Sequence, residues 1–152
     1  MAGDAQSGYS AHDMARILLV EDSAAMRTYV RAALEGLPAL GDDCEIVEAA
    51  SGFNALRLLP RAAYDLVITD INMPDINGFE LLSFVRKSPL YREIPLLIIS
   101  TQASDRDRER GLALGADGFL AKPFTPEAIR HAVTQSLTGR GSSGGDAARS
   151  RA

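Results

Sequence analysis

The residues of this chain that could do chemistry interrupt its apolar runs at regular places. Glu21 and Asp22 follow the run 17–20, Asp70 follows 66–69, Ser100 and Thr101 follow 96–99, and Lys122-Pro123 follow 118–121. Three carboxylates brought close together repel, and some must take up protons unless a cation intervenes. A hard divalent ion removes that conflict. Mg²⁺ suits, because it keeps several waters and typically takes one or two carboxylates plus a substrate phosphate. A lysine adds a point charge for bound phosphate, and a serine hydroxyl adds a hydrogen-bond donor. Together these groups suit in-line phosphoryl transfer to an aspartate, where positioning and charge neutralisation do most of the catalysis.

Such residues meet only if the elements bearing them end at a common edge. In an open parallel sheet the C-terminal strand ends share one edge, and ligands bind there. The runs 17–20, 46–49, 66–69, 96–99 and 118–121 read as strands. The third and fourth are apolar almost throughout, as strands buried on both faces are. Between them lie helical patterns: Met26, Val30, Ala33 and Leu37 fall on one face, as do Ala55, Leu56 and Leu59, and Ile129, Val133 and Leu137 recur at i, i+4, i+8. Ser23, Ser51 and Ser104 are candidate N-caps, Thr125 precedes a first-turn proline, and Asp105 and Asp107 suit a helix N-terminus. Gly115 reads as a helix stop, and 36–45, with Pro38, Gly41, Asp42 and Asp43, as a surface loop. Five β-α units predict an α/β fold with a doubly wound five-stranded parallel sheet. Residues 1–14 and 138–152 are small, polar or glycine-rich and cannot offset their ordering entropy. They are expected to be flexible ends around a domain at 15–137.

The segments ILLVEDSAAMR, DLVITDINMPDINGFELL, IPLLIIS and GADGFLAKPFT cover nearly all of 16–126 in order. Together they resemble the response-regulator receiver family, and are similar to stand-alone chemotaxis regulators of the CheY type. The resemblance implies the flavodoxin-like strand order 2-1-3-4-5, of which CheY is itself a standard example. It implies that Asp70 accepts a phosphoryl group from a histidine kinase in a two-component phosphorelay. Asp22 then binds Mg²⁺ directly, Glu21 acts near the metal through water, and Asn72 offers its backbone carbonyl. Ser100 donates to a phosphoryl oxygen and Lys122 pairs with the phosphoryl group. Phe119 matches the aromatic switch position, and Lys122-Pro123 the family's cis peptide, a form proline makes accessible. The face built by the fourth helix, fifth strand and fifth helix is expected to change partner binding. Thr101 is expected to narrow phosphoryl access and Gln102 to tune hydrolysis. The chain is expected to be a signalling phosphoacceptor with slow self-catalysed phosphorylation and dephosphorylation, not a conventional enzyme.

Other readings compete. The chain could be a receiver cut from a larger regulator with an output domain, or a pseudo-receiver that takes no phosphoryl group. A dehalogenase-type phosphatase wants a second aspartate two residues after its nucleophile, where this chain has Asn72. A nucleotide or flavin binder wants a glycine-rich loop after the first strand, where this chain has Glu-Asp-Ser. Arg106, Arg108 and Arg110 alternate with acids, the pattern of a solvated helix face, or of an output surface. His12, His131 and Cys44 carry no partner motif.

Composition bounds the rest. Hydrophobic residues make up 46% and charged residues 24%, the globular range. With a net charge of -4 and no basic face, direct contact with nucleic acid is not expected. No run approaches the roughly 18 apolar residues of a membrane span, and residues 1–14 lack a secretory pattern. One cysteine fits a reducing compartment. The expected location is cytoplasmic, and the downstream protein target is not legible.

Overall fold

The computed structural model describes residues 15–101 and 103–143, with side chains through residue 139. Five strands, β1 (Arg16–Val20), β2 (Glu45–Ala49), β3 (Leu66–Asp70), β4 (Leu96–Ser100) and β5 (Gly118–Ala121), form one sheet in the order β2-β1-β3-β4-β5. All four pairings are parallel. The expected α/β fold and strand order are both present.

Five α-helices connect and follow the strands: α1 (Ala24–Leu34), α2 (Gly52–Leu58), α3 (Gly78–Lys87), α4 (Asp105–Leu114) and α5 (Pro126–Ser143). Successive strand residues point to opposite faces, so the core divides in two. On one face Ile17, Leu19, Ile68 and Ile99 pack with Val30 and Leu34 of α1 and Ile129 and Val133 of α5. On the other Leu18, Val20, Val67 and Ile98 pack with Ala55 of α2 and with Phe79, Leu82 and Val85 of α3. Helices on both faces explain why β3 and β4 are buried at every position.

The predicted caps are in place. Ser23, Ser51 and Ser104 each accept from the backbone N–H three residues on, and Thr125 Oγ1 accepts from Ala128 N–H. Gly115 closes α4 at φ 108°, a left-handed conformation suited to glycine. A capping box between Asn77 and Glu80 starts α3.

Three boundaries differ from the periodicity. Helix α1 stops at Leu34, and Gly36 turns the chain at φ 75°, so Leu37 reaches the core from a 3₁₀ turn, Pro38–Leu40, rather than from the helix. Helix α2 stops at Leu58 because Pro60 has no N–H to continue the ladder. Helix α5 runs past Leu137, where apolar periodicity ends, to Ser143. Thr134 and Thr138 hydroxyls donate back to the carbonyls four residues earlier along this stretch. The 138–152 segment read as a flexible tail is therefore helical through 143; residues 1–14 and 144–152 lie outside the described residues. Among the described residues no helix is long and apolar enough to cross a membrane.

One side chain ties the far edge of the molecule together. Arg86 of α3 donates to the carbonyls of Gly115, Arg92 and Ile94 and to Asp117 Oδ2, at 2.8–3.0 Å. Asp117 in turn accepts from Leu96 N–H at the start of β4.

Candidate functional site

The strand register sets the site. Val20 pairs with Ala49 and Thr69, Asp70 with Ile99, and Ser100 with Ala121. The chain therefore leaves β1, β3, β4 and β5 at one edge, with Glu21, Asp70, Ser100 and Lys122 at the exits. Glu21 N–H still bonds to Ala49 carbonyl, extending the ladder by one residue and fixing the acid's start. Arg27 of α1 caps the same turn by donating to Glu21 carbonyl at 2.7 Å and to Glu48 Oε1 at 2.7 Å.

Carboxylate oxygens of Glu21, Asp22 and Asp70 lie within 4.8 Å of one another. Glu21 is 1% exposed and Asp70 6%, whereas Asp22 faces solvent. Lys122 Nζ sits 2.9 Å from Glu21 Oε1 and 3.5 Å from Asp70 Oδ1. Lys122 N–H bonds to Ser100 carbonyl at 2.8 Å, and the Lys122-Pro123 peptide is cis. Tyr29 of α1 steadies the following turn, donating to Phe124 carbonyl and packing on its ring.

Burial pushes both inner acids above the ordinary carboxylate range. For Glu21 that outweighs the Lys122 hydrogen bond and the Ser23 N–H, and Asp70 adds repulsion. For Asp70 it outweighs the charge of Lys122 and the Ile71 N–H, and Asp22 adds repulsion. Geometrically, one ammonium stands beside three carboxylates. An all-oxygen donor set with a deficit of positive charge fits a small, hard divalent ion.

The loop after β3 is built tightly around Asp70. Gly78 N–H bonds to Ile71 carbonyl at 2.8 Å, and a side chain at Gly78 would meet Asp70 carbonyl oxygen at 2.4 Å. Asp75, in the same loop, accepts from Gly52 and Phe53 N–H at the start of α2 and from Ile76 N–H. Desolvation opposes its charge, but these N–H donors outweigh that and hold its carboxyl below the ordinary range. A depressed folded-state value contributes stability above the unfolded value, about 3.9, and that stability is lost as pH falls through the folded value. Asp75→Asn therefore lowers denaturant stability at neutral pH, and the gap from wild type closes in acid. An equal gap at pH 7 and pH 2 would show that the carboxylate charge is not what anchors the loop.

Of the predicted site residues, Glu21, Asp22, Asp70, Ser100 and Lys122 lie at this edge of the sheet. Thr101 is exposed beside the buried Ser100, and Asn72 is exposed in the β3–α3 loop. Gln102 lies outside the described residues. Phe119 sits elsewhere: it pairs with Ile98 in the sheet and packs beneath α4. Sequence reasoning missed Asp75, whose partners are backbone N–H groups, and Arg27, which bridges the Glu21 carbonyl and the Glu48 carboxylate of two other elements; neither leaves a local pattern. The alternating arginines of α4 read as a solvated face or an output surface; Arg110 is exposed and Arg108 half-buried. Arg108 lies over the Phe119 ring at 5.0 Å and Arg110 over the Phe79 ring at 4.3 Å.

Comparison with known proteins agrees with this geometry. A family model, "Response regulator receiver domain", matches residues 17–134. A chemotaxis protein CheY homolog of Campylobacter jejuni is 32% identical over 133 residues, covering 87% of this chain and 98% of that protein. The structure of chemotaxis response regulator CheY4 of Vibrio cholerae has 36% identity and a TM-score of 0.72, over 82% of this chain and 99% of that one. A probable transcriptional regulatory protein of Picosynechococcus is 39% identical over 118 residues, 73% of this chain but 44% of that protein. With the matched fold, the acid cluster and the lysine at one sheet edge, this chain belongs to the response-regulator receiver family of two-component signalling.

Proposed function

We propose that Asp70 is the phosphoacceptor, taking a phosphoryl group from the phosphohistidine of a histidine kinase. One observation carries the reading: three carboxylates within 4.8 Å of one another, two of them buried, with a single lysine between Glu21 and Asp70. Asp22, Asp70 and the Asn72 carbonyl would hold Mg²⁺, with Glu21 reaching it through water. The ion, when bound, neutralises charge on the acceptor and the incoming phosphoryl oxygens.

The chain's own groups do the rest. The Asp70 Oδ1 that accepts Ile71 N–H at 2.8 Å is held by it and by Lys122, which orients the carboxylate. An Asp70 oxygen attacks phosphorus in line, the P–N bond to the donor imidazole breaks, and that nitrogen takes a proton as it leaves. Lys122 shifts from Glu21 toward the new phosphoryl oxygens, and the Ser100 hydroxyl donates to another. Hydrolysis reverses the modification slowly, with Thr101 narrowing phosphoryl access and Gln102 tuning the rate. Phosphorylation then changes the face formed by α4, β5 and α5, with Ser100 and Phe119 as the moving residues and a downstream protein as the reader.

The test is phosphoryl incorporation from acetyl phosphate, followed by intact-protein mass. Wild type gains one phosphoryl group only with Mg²⁺ present. Asp70→Asn gains none, at unchanged fold by circular dichroism. Uptake by Asp70→Asn equal to wild type, or none by wild type, would refute the assignment.

A further inference from the structure

Helix α4 is an unusual packing partner for a sheet. Its sequence is DRDRERGLAL, and Gly111 is its one buried residue. Gly111 brings the helix backbone close to β4 and β5: a side chain there would meet Ile98 Cδ1 at 3.0 Å and Phe119 Cδ2 at 3.3 Å. Three residues earlier on the same face stands Arg108. Its guanidinium lies over the Phe119 ring, 5.0 Å from the centroid, and its Nη1 donates to Phe119 carbonyl at 3.1 Å. Phe119 is therefore held by the bare backbone of α4 at its edge and by a charged plane over its face. An aliphatic residue at 108 would supply contact area but neither the cation–π attraction nor the hydrogen bond.

We propose that Arg108 is a positioning residue that sets how readily the phosphorylation site switches, by clamping Phe119 to α4. This rests on the receiver reading above and adds to it a residue outside the acid cluster. Two features couple the clamp to the site. Phe119 and Lys122 lie three residues apart on β5 and its exit, and Lys122 N–H is bonded to Ser100 carbonyl. Ser100 is followed within a few residues by Ser104, the cap of the helix that bears Arg108. A shift of Ser100 and Lys122 toward a phosphoryl group moves both ends of the clamp. In the described arrangement Lys122 lies nearer Glu21 than Asp70. The clamp belongs to this arrangement and opposes leaving it, because a contact made in one state lowers the population of the other.

The experiment titrates beryllofluoride, a phosphoryl mimic, in saturating Mg²⁺ against wild type, Arg108→Ala and, as a control on the same helix, Arg110→Ala. Mg²⁺ affinity is measured separately. Aromatic NMR follows the Phe119 ring without ligand. The expected result is a roughly three- to tenfold gain in beryllofluoride affinity for Arg108→Ala, the range that loss of one partly desolvated cation–π contact and one hydrogen bond supports. Mg²⁺ affinity stays unchanged, the Phe119 ring signals shift or broaden in Arg108→Ala, and Arg110→Ala binds beryllofluoride within twofold of wild type. Unchanged or weaker beryllofluoride binding by Arg108→Ala, beside a wild type that binds, overturns the proposal while leaving the receiver reading intact. Unchanged Phe119 signals overturn the clamp itself. A wild type that binds neither Mg²⁺ nor beryllofluoride overturns the receiver reading, and the coupling with it.

Discussion

Lys122→Ala takes up phosphoryl groups from acetyl phosphate on the order of a hundredfold more slowly than wild type, yet binds Mg²⁺ more tightly. The loss follows from removing the one ammonium at the acceptor, since a preorganised charge aimed at developing negative charge is worth about that much. The gain has a different origin. Lys122 lies 2.9 Å from Glu21 Oε1 and 3.5 Å from Asp70 Oδ1, so it neutralises part of the same acid cluster that would hold the metal. Burial already raises the pKa of both acids, with added repulsion from Asp70 on Glu21 and from Asp22 on Asp70. Without the lysine the deficit of positive charge grows, and a divalent ion relieves more of it. Mg²⁺ affinity is expected to rise by roughly three- to tenfold, as fits a partly screened charge contact. Isothermal titration with Mg²⁺ and stopped-flow uptake from acetyl phosphate measure the two effects. Weaker Mg²⁺ binding in Lys122→Ala would mean that the lysine supports the metal site and does not compete for it.

Arg86→Ala costs about 2–3 kcal/mol of folding stability without touching the acid cluster. Arg86 and Asp117 side chains are 14% and 16% exposed, so the pair is largely desolvated but not sealed. The guanidinium also satisfies three backbone carbonyls, on the α4–β5 turn and the α3–β4 connection. Removing it takes a donor from each of those carbonyls and the neutralising charge from Asp117, which keeps Leu96 N–H. For a chain of this size the loss corresponds to a fall in Tm of about 4–12 °C. Calorimetry and urea unfolding check the size, and Mg²⁺ binding checks that the site survives. A loss below about 0.5 kcal/mol would class the contact with surface ion pairs.

The site was legible in the sequence to a large degree, and the reason is physical. Apolar runs that switch abruptly to acid, hydroxyl or lysine mark the ends of buried parallel strands, and topology puts those ends on one edge. The convergence of Glu21, Asp22, Asp70, Ser100 and Lys122 on one edge is legible this way because their side-chain types carry the signal. Asp75 carried none. Its partners are the amides of residues 52, 53 and 76, and only the folded loop brings them within reach. Arg108 carried an ambiguous one. Charges alternating along a helix look the same whether they face water or fold over a ring, and the aromatic that decides the matter lies on another element. Leu37 was assigned to the right core by the wrong route. It is buried, but a positive-φ turn at Gly36 delivers it after the helix has ended.

The central claim is chemical, and so is its most direct measurement. An acyl phosphate on aspartate is reduced by borohydride to homoserine, whereas a phosphate ester or a bound phosphate is not. The full chain, phosphorylated with acetyl phosphate and Mg²⁺, is reduced, digested and mapped by peptide mass. The site described here predicts homoserine at position 70 alone, dependent on Mg²⁺ and lost in Asp22→Asn. Homoserine at another aspartate, or none in a sample that has demonstrably taken up phosphate, would contradict it.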